Sequence, residues 1–428
     1  MNTDDPAHSR VTATQPPSCL AIVGAGVMGS GIAAAGLAAG LRVILIDSSA
    51  ESLEKGAATA REESIRLAVS MMGGRQEHAG RVGDLLRPSV NLEDTASADV
   101  VIESIVERID VKHELFRALD RITRPEAVLA TNTSTYPIRR IAEPVSDASR
   151  ICGMHFFVPV ERRHLVEVIR GKDTSDRATS TAVALANRIG KRAVVVRDSP
   201  GFLVNRVLMP YLNEAVEMLR EGVPTERIDA AARSFGMPVG PLELYDMIGL
   251  DTALYAGMVM HDAFGDRIEA SPVVPALVRA KMLGRKAGVG FYHHEDGQHG
   301  PESGFGPPNE AVSSILDRYP SEPHRSGDAG VRDRYPEALI NDRLFLPMVI
   351  EAGLAIEEGV IVHADDVDLA VAYGLGFPPS KGGLMQWAAS LGDRELQKRL
   401  TSLASLGPRM CPPSGLIARV CGRDGSRS

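Results

Sequence analysis

The sequence predicts a doubly wound α/β sheet followed by two tandem all-α domains. Three observations carry that prediction. A glycine turn, Gly24-x-Gly26-x-x-Gly29, separates an apolar run from a run of small residues near the start of the chain. Short apolar runs then alternate with stretches of helical period up to about residue 198, the chain order of a mostly parallel sheet. Beyond it, RLFLPMVIEAGLAIEEGV (343–360) repeats RVLMPYLNEAVEMLREGV (206–223) at an offset of 137 residues.

At 428 residues the chain is long for one core, and two or three domains are expected. A composition of 44% hydrophobic and 24% charged residues is that of a soluble globular protein. With 4% aromatics and a net charge of −8, it lacks the footprint of a nucleic-acid or anionic-membrane binder. The four cysteines (Cys19, Cys152, Cys411, Cys421) have no metal-ligand spacing and are too sparse for a disulfide framework. Cys152, three residues before His155, reads as half of a Cys/His nucleophile pair or, more simply, as a small apolar strand residue. The first residues resemble neither a secretory nor a transit peptide, so the cytoplasm is the expected location. From Cys19 to Leu41 no residue is charged, and Gly36-x-x-x-Gly40 imitates a membrane-helix contact. Few large apolar side chains occur there, however, and the glycine turn accounts for the stretch better.

The elements follow in order. Residues 20–23 read as a strand, 27–39 as a helix and 42–46 as a second strand ending at Asp47, 18 residues past Gly29. Gly24 allows the tight turn, Gly26 a close backbone approach to pyrophosphate, and Gly29 close helix–sheet packing. The loop and first turn, Gly24, Ala25, Gly26, Val27, Met28 and Gly29, would then hold a dinucleotide phosphate on the helix N-terminus. Asp47 accepts from a ribose 2′-hydroxyl and repels a 2′-phosphate, so the expected cofactor is NAD rather than NADP. This is the Rossmann pattern; the plainer alternative is a glycine turn that binds nothing. A mixed-charge helix over 51–70, a strand at 98–104, a helix at 111–122 and a strand at 127–134 continue the alternation. Glu103, Glu107, Lys112 and Ser134 fall at or just beyond strand ends, where such sheets bind ligands. Glu103 and Glu107 read equally well as solvated loop charges.

GMHFFVPVERRHLVEV (153–168) sets His155 and Glu167 in two strand-like runs joined by a polar, Pro-containing stretch. Such a connection suits an antiparallel pair, in which facing Cβ atoms lie about 4.5–5.5 Å apart. Glu167 would then reach a ring nitrogen of His155, fix its tautomer and make it a competent general base. From these residues alone, a satisfied structural pair explains the pattern as well as chemistry does. Strand 193–197 ends at Asp198, with Ser199 as N-cap and Pro200 in the first turn of a long helix that opens a new domain.

Taken together, Gly24–Gly29, TNTS (131–134), HFF-x-PV (155–160), LVEV (165–168), DSPGFLVNR (198–206) and GRKAGVGFY (284–292) resemble, in order, the signatures of the 3-hydroxyacyl-CoA dehydrogenase family. The resemblance implies His155 as catalytic base and Glu167 as its orienting partner. Ser134 and Asn205 match side chains that hydrogen-bond the reacting substrate oxygens, and Glu107, Lys112 and Lys286 match positions approaching NAD. The helical domains would be of the 6-phosphogluconate-dehydrogenase-like C-terminal type, and the reaction the NAD-dependent oxidation of (S)-3-hydroxyacyl-CoA. Two other readings stay open: a weakened subunit that binds NAD or acyl-CoA, and a dehydrogenase of a related hydroxy acid without CoA. Val158 stands where the family usually has an Asn near the nicotinamide side, which predicts weaker NAD binding or altered turnover. Charged ERRH (161–164) also departs from the pattern, either as a solvated loop or as a contact to the acyl-CoA.

The expected division is a tail (1–17), the NAD-binding domain (18–198), a first helical domain (199–298), a Gly/Pro-rich linker (299–335) holding a short helix at 309–318, a second helical domain (336–410) and a tail (411–428). In the repeat, Arg206/Arg343, Pro210/Pro347, Glu214/Glu351 and Glu221-Gly222-Val223/Glu358-Gly359-Val360 coincide, and FGMPVGP (235–241) pairs with LGFPPSKGG (375–383). Asn205 becomes Asp342, and neither a second glycine turn nor a second His–Glu pair occurs, so the second copy reads as scaffold. The arrangement resembles the dehydrogenase portion of multifunctional fatty-acid oxidation proteins. It implies a monomer or weak homodimer, with other β-oxidation enzymes as associates.

Overall fold

In the computed structural model, residues 16–71, 82–265, 267–294, 304–319 and 334–421 are described. The chain divides into two compact units: the first runs to Phe202 and takes in residues 360–362, and the second comprises the rest.

The first unit is built on eight strands: β1 (Cys19–Val23), β2 (Arg42–Ile46), β3 (Leu86–Ser89), β4 (Val100–Glu103), β5 (Val128–Thr131), β6 (Ile151–Phe156), β7 (Leu165–Arg170) and β8 (Arg192–Arg197). Their order in the sheet is β3-β2-β1-β4-β5-β6-β7-β8. All neighbours are parallel except β6 and β7, which run antiparallel with His155 directly opposite Glu167. Among the described residues five helices accompany the sheet: α1 (Val27–Ala38), α2 (Ala50–Met71), α3 (Ile109–Ile122), α4 (Ile138–Ala142) and α5 (Asp176–Arg188).

The uncharged stretch at the start is explained by burial on all sides. Every residue of β1 is buried, as is α1 from Gly29 to Ala38. A Cβ at Gly36 would come within 3.1 Å of Leu20 and of Val43, so the glycine lets α1 lie close on β1 and β2. Edge strand β3 was not legible in the sequence. It is four residues long and carries Pro88, which a sheet tolerates at an edge where no ladder donor is needed.

The second unit is helical: α6 (Val204–Arg220), α7 (Thr225–Phe235), α8 (Pro241–Ile248), α9 (Leu250–Phe264), α10 (Val273–Arg279), α11 (Ala311–Leu316), α12 (Glu337–Glu357), α13 (Ala364–Leu375), α14 (Leu384–Ser390), α15 (Asp393–Leu403) and α16 (Leu416–Cys421). The long helix begins at Val204, not at Ser199, because Gly201 (φ 72°) and Phe202 (φ 52°) take left-handed backbone that no α-helix contains. The expected linker is partly folded. Asn309 is buried and donates to the Gly290 carbonyl at 2.8 Å, while Val312 and Ile315 of α11 are buried. The rest of that stretch, residues 299–303 and 320–333, lies outside the described residues, as do residues 1–15. The expected C-terminal tail contains α16, whose Leu416 is 1% exposed and packs where a Cβ on Gly353 would sit.

The repeat has a physical consequence. Arg206 of the first copy pairs with Glu351 and Glu358 of the second, and Arg343 of the second pairs with Glu214 and Glu221 of the first. Each partner is the offset equivalent of the other. Gly236 likewise faces Pro378 while Gly376 faces Pro238. Residue i meeting j′ while i′ meets j is the signature of a twofold interface, here inside one chain. Both guanidiniums are buried, at 0% and 2% exposure, so the pairs also satisfy charges that could not stay there alone. Within each copy a buried aspartate caps the next helix: Asp229 accepts from Leu242 N at 2.9 Å, and Asp368 from Met385 N at 2.6 Å.

Candidate active site

At the C-terminal end of β1 the turn has the geometry that a dinucleotide needs. Gly24 sits at φ 109°, and a Cβ there would lie 2.3 Å from the Ser104 carbonyl oxygen. A Cβ at Gly29 would lie 1.8 Å from the Gly24 carbonyl oxygen, so the turn closes on its own helix only with glycine at both places. At Gly26, by contrast, a Cβ would meet nothing within 4 Å. That is open space in front of the α1 N-terminus, whose first amides have no intrahelical acceptor and whose first turn holds no acid. Asp47 accepts from Ala25 N at 2.8 Å and from Ser49 N at 2.9 Å, which fixes its carboxylate beside the turn. Ala25 is buried, whereas Val27 is 77% exposed. A dinucleotide fits this set: pyrophosphate before the helix, ribose hydroxyls at Asp47.

Under the ends of β4 and β5 lies a buried polar network. Glu103, expected as a possible solvated charge, is 0% exposed. Its two oxygens accept from Lys112 Nζ at 2.7 Å and Thr131 Oγ1 at 2.6 Å. Lys112 also reaches Glu107 at 3.0 Å, and Glu107 in turn accepts from the Thr133 hydroxyl. Lys112 is 1% exposed, so its ammonium serves the two carboxylates, while Glu107 stays about one-third exposed. Asn132 accepts from Phe156 N at 2.9 Å, tying the end of β5 to the end of β6. Ser134, just past this knot, is exposed, with its hydroxyl 3.2 Å from that of Thr135.

His155 and Glu167 meet as their register requires. Nδ1 lies 2.7 Å from Oε2, with His155 6% and Glu167 0% exposed. An ionised carboxylate can only accept, so in the neutral ring Nδ1 carries the proton and Nε2 presents a lone pair. The ring is flanked by Phe157 at 4.5 Å and Phe202 at 5.7 Å between centroids. Phe202, which sequence reasoning did not single out, is buried and holds a left-handed conformation rarely kept by a bulky residue. Cys152 takes no part: it is 0% exposed, in the core, and burial pushes its thiol up to about 12. A Cys/His nucleophile pair is therefore excluded.

The segment joining the pair is anchored from below. Lys191, also missed in the sequence, is 6% exposed and donates to the Val160 carbonyl at 2.5 Å and the Arg163 carbonyl at 2.9 Å. Val158 stands out at 59% exposure, and its carbonyl accepts from Arg163 Nε at 3.4 Å. Arg163 is thus half-buried against its own loop, while Arg162 is exposed.

Two expected site residues belong to the second unit. Asn205 is half-buried in the first turn of α6. Lys286 is about half-exposed, with Nζ 2.5 Å from Asp251 Oδ1. In the second copy, the position of Asn205 is taken by Asp342, which Arg399 holds at 3.0 Å.

Comparison with known proteins bears on the family of the chain. Residues 19–199 match the model of the 3-hydroxyacyl-CoA dehydrogenase NAD-binding domain, and 201–294 match that of the same family's C-terminal domain. A fatty acid oxidation complex subunit alpha from Ectopseudomonas oleovorans is 36% identical over 411 residues, which is 95% of this chain but 55% of the relative. This chain thus spans about half the length of that curated relative. The crystal structure of 3-hydroxybutyryl-CoA dehydrogenase from Escherichia coli K12 superposes with a TM-score of 0.78 at 28% identity, covering 94% of this chain and 98% of that one. That of (S)-3-hydroxybutyryl-CoA dehydrogenase from Ralstonia eutropha does so with a TM-score of 0.62 at 37% identity, covering 65% of this chain and all of that one. The chain accordingly belongs to the 3-hydroxyacyl-CoA dehydrogenase family of NAD-dependent oxidoreductases.

Proposed function

We propose that the protein oxidises (S)-3-hydroxyacyl-CoA to 3-oxoacyl-CoA, with His155 as general base. The observation that carries this reading is the 2.7 Å contact between His155 Nδ1 and the buried Glu167 carboxylate, which leaves Nε2 as acceptor. As the substrate alcohol is oxidised, Nε2 takes the proton of the 3-hydroxyl, and Glu167 stabilises the imidazolium that forms. NAD, when bound, supplies the acceptor for the hydride leaving C3. Ser134 and Asn205 donate hydrogen bonds to the substrate oxygens and favour the charge developing there. Gly24–Gly29 and Asp47 hold the cofactor, and Glu107, set by Lys112, and Lys286 are the further candidates to contact it. A base so oriented contributes roughly 10²–10⁴-fold to proton transfer.

The same reading places the protein in the cytoplasm, acting on acyl-CoA thioesters beside other enzymes of fatty-acid oxidation. Among the described residues no helix is long and apolar enough to cross a membrane. Since the helical copies already cover one another, the chain acts as a monomer or a weak homodimer. The test is NADH formation from purified protein, NAD and 3-hydroxyacyl-CoA thioesters, repeated with His155→Gln. Turnover by the wild type and its loss in the variant support the reading; full activity in His155→Gln refutes the assignment of the base.

A further inference from the structure

The stretch between His155 and Glu167 is held by a buried cation that the chemistry above leaves unused. β7 runs antiparallel to β6 and β8 parallel to β7, so the start of β8 returns to the end of the sheet where β6 finishes, the end at which such sheets bind ligands. Lys191 immediately precedes β8. Its ammonium donates to the carbonyls of Val160 and Arg163, at 2.5 and 2.9 Å, and the next amide, Arg192 N, donates to that of His164 at 2.6 Å. Among the described residues no carboxylate pairs with Lys191. Burial pulls its ammonium down to about 8, and Glu161, on the same connection, opposes that only in part. A lysine 6% exposed without a counter-ion is rare, and its desolvation is costly. Stability alone gives such a cation little reason to stay; what it secures is the position of the two carbonyls.

Those carbonyls belong to the segment that joins the base to the helix of the dinucleotide turn. Val160 is 3% exposed, and a Cβ at Gly31 of α1 would lie 2.9 Å from its Cβ, so the valine seats in the notch that the glycine leaves. Gly31 stands two residues past the turn on the same helix. Three residues before Val160, the Phe157 ring lies 4.5 Å from that of His155. We propose that Lys191 is a positioning residue: by pinning Val160 against α1, it fixes the spacing between His155 and the dinucleotide turn. The proposal rests on the dehydrogenase reading, in which nicotinamide and substrate hydroxyl meet beside His155. The turn and Asp47 grip the cofactor elsewhere and do not depend on the clamp. Loosening it therefore slows the chemical step more than it weakens NAD binding.

The test compares the wild type with Lys191→Met, which keeps an apolar stem and removes the donors, and with Lys191→Arg, which keeps the charge. The single-turnover rate of NADH formation from a 3-hydroxyacyl-CoA is measured beside the NAD dissociation constant by calorimetry. Lys191→Met is expected to lower the rate at least tenfold with the dissociation constant within threefold of the wild type, and Lys191→Arg to recover part of the rate. A thermal melt checks folding; if Lys191→Met does not fold, the clamp is tested from the α1 side. There Gly31→Ala should lower the rate by pressing on Val160, and adding Val160→Ala should restore it. A folded Lys191→Met with a rate within threefold of the wild type overturns the proposal and leaves the dehydrogenase reading standing. So do equal losses of rate and NAD affinity, or a Gly31→Ala loss that Val160→Ala does not relieve. No NADH from the wild type overturns that reading and this proposal with it.

Discussion

Replacing Glu167 by Gln keeps the size of the side chain and removes its charge, which separates geometry from electrostatics at His155. The carboxylate oxygen lies 2.7 Å from Nδ1, which sets the two charge centres about 4 Å apart once the ring is protonated. At an effective dielectric of about 20 that attraction is worth on the order of 4 kcal/mol, close to a thousandfold in rate if all of it acts in the transition state. A second effect has the same sign. Glutamine can turn its NH₂ towards Nδ1, which moves the ring proton to Nε2 and removes the lone pair facing the substrate. The expected result is a fall in kcat of roughly 10³-fold or more, followed as NADH absorbance, with the NAD Michaelis constant within about threefold of the wild type. Glu167→Asp, which keeps the charge and shortens the reach, should recover part of the loss. Because Glu167 is fully buried, a thermal melt must show that the Gln variant folds. A folded Glu167→Gln enzyme with kcat within threefold of the wild type would refute the argument that this carboxylate orients and stabilises the base.

Four further substitutions have outcomes that follow from the structure. Gly26→Ala should leave the melting temperature nearly unchanged and weaken NAD binding at least tenfold by calorimetry, because its Cβ meets only open space on the phosphate side. Gly29→Ala should lose both, because its Cβ meets the Gly24 carbonyl. Val158→Asn should tighten NAD by about 2–10-fold, the worth of one neutral hydrogen bond; an unchanged Michaelis constant and turnover would show that this position does not serve the cofactor. Burial, the largest influence, pushes the Asp229 carboxyl up to about 7, against the opposing hydrogen bond from Tyr292. A raised carboxyl adds stability that is full below pH 4 and lost as pH rises through about 7. Asp229→Asn should therefore flatten the fall in melting temperature between pH 4 and 7; an equally steep fall in the variant would assign it to other groups.

Much of the first unit was legible because its signals are local. An uncharged run broken by three glycines reads as strand, turn and helix, and the structure places β1, α1 and β2 within a residue or so of the expectation. The facing of His155 and Glu167 was legible for a similar reason: two strands joined through a short polar stretch leave few registers that bury both apolar sets. What escaped depends on partners distant in sequence. Glu103 reads as a loop charge until Lys112 and Thr131 are brought to it, and Lys191 reads as a surface lysine until the Val160 and Arg163 carbonyls are placed above it. Ser199-Pro200 carries a strong helix-start signal, yet Gly201 and Phe202 override it with left-handed backbone, and nothing local announces that a phenylalanine will adopt it.

The duplicated half shows why the two copies are free to differ while the structure keeps both. A twofold interface between separate subunits must overcome the loss of translational and rotational freedom on association. Joined in one chain, the copies meet at the high effective concentration set by the connection between them. The exchanged pairs, Arg206 with Glu351 and Arg343 with Glu214, then bind each copy to its neighbour at every protein concentration. Identity of the two halves is no longer required, because each side of the interface is encoded separately. The differences fall where that freedom predicts. Arg267 reinforces the Glu351 side and Arg409 the Glu214 side, from positions outside the matched segments. The Asn205 position, which donates to substrate in the reading above, becomes in the second copy an aspartate held by Arg399. A carboxylate held in an internal ion pair cannot donate to a substrate oxygen, so on that reading the second copy keeps the interface alone.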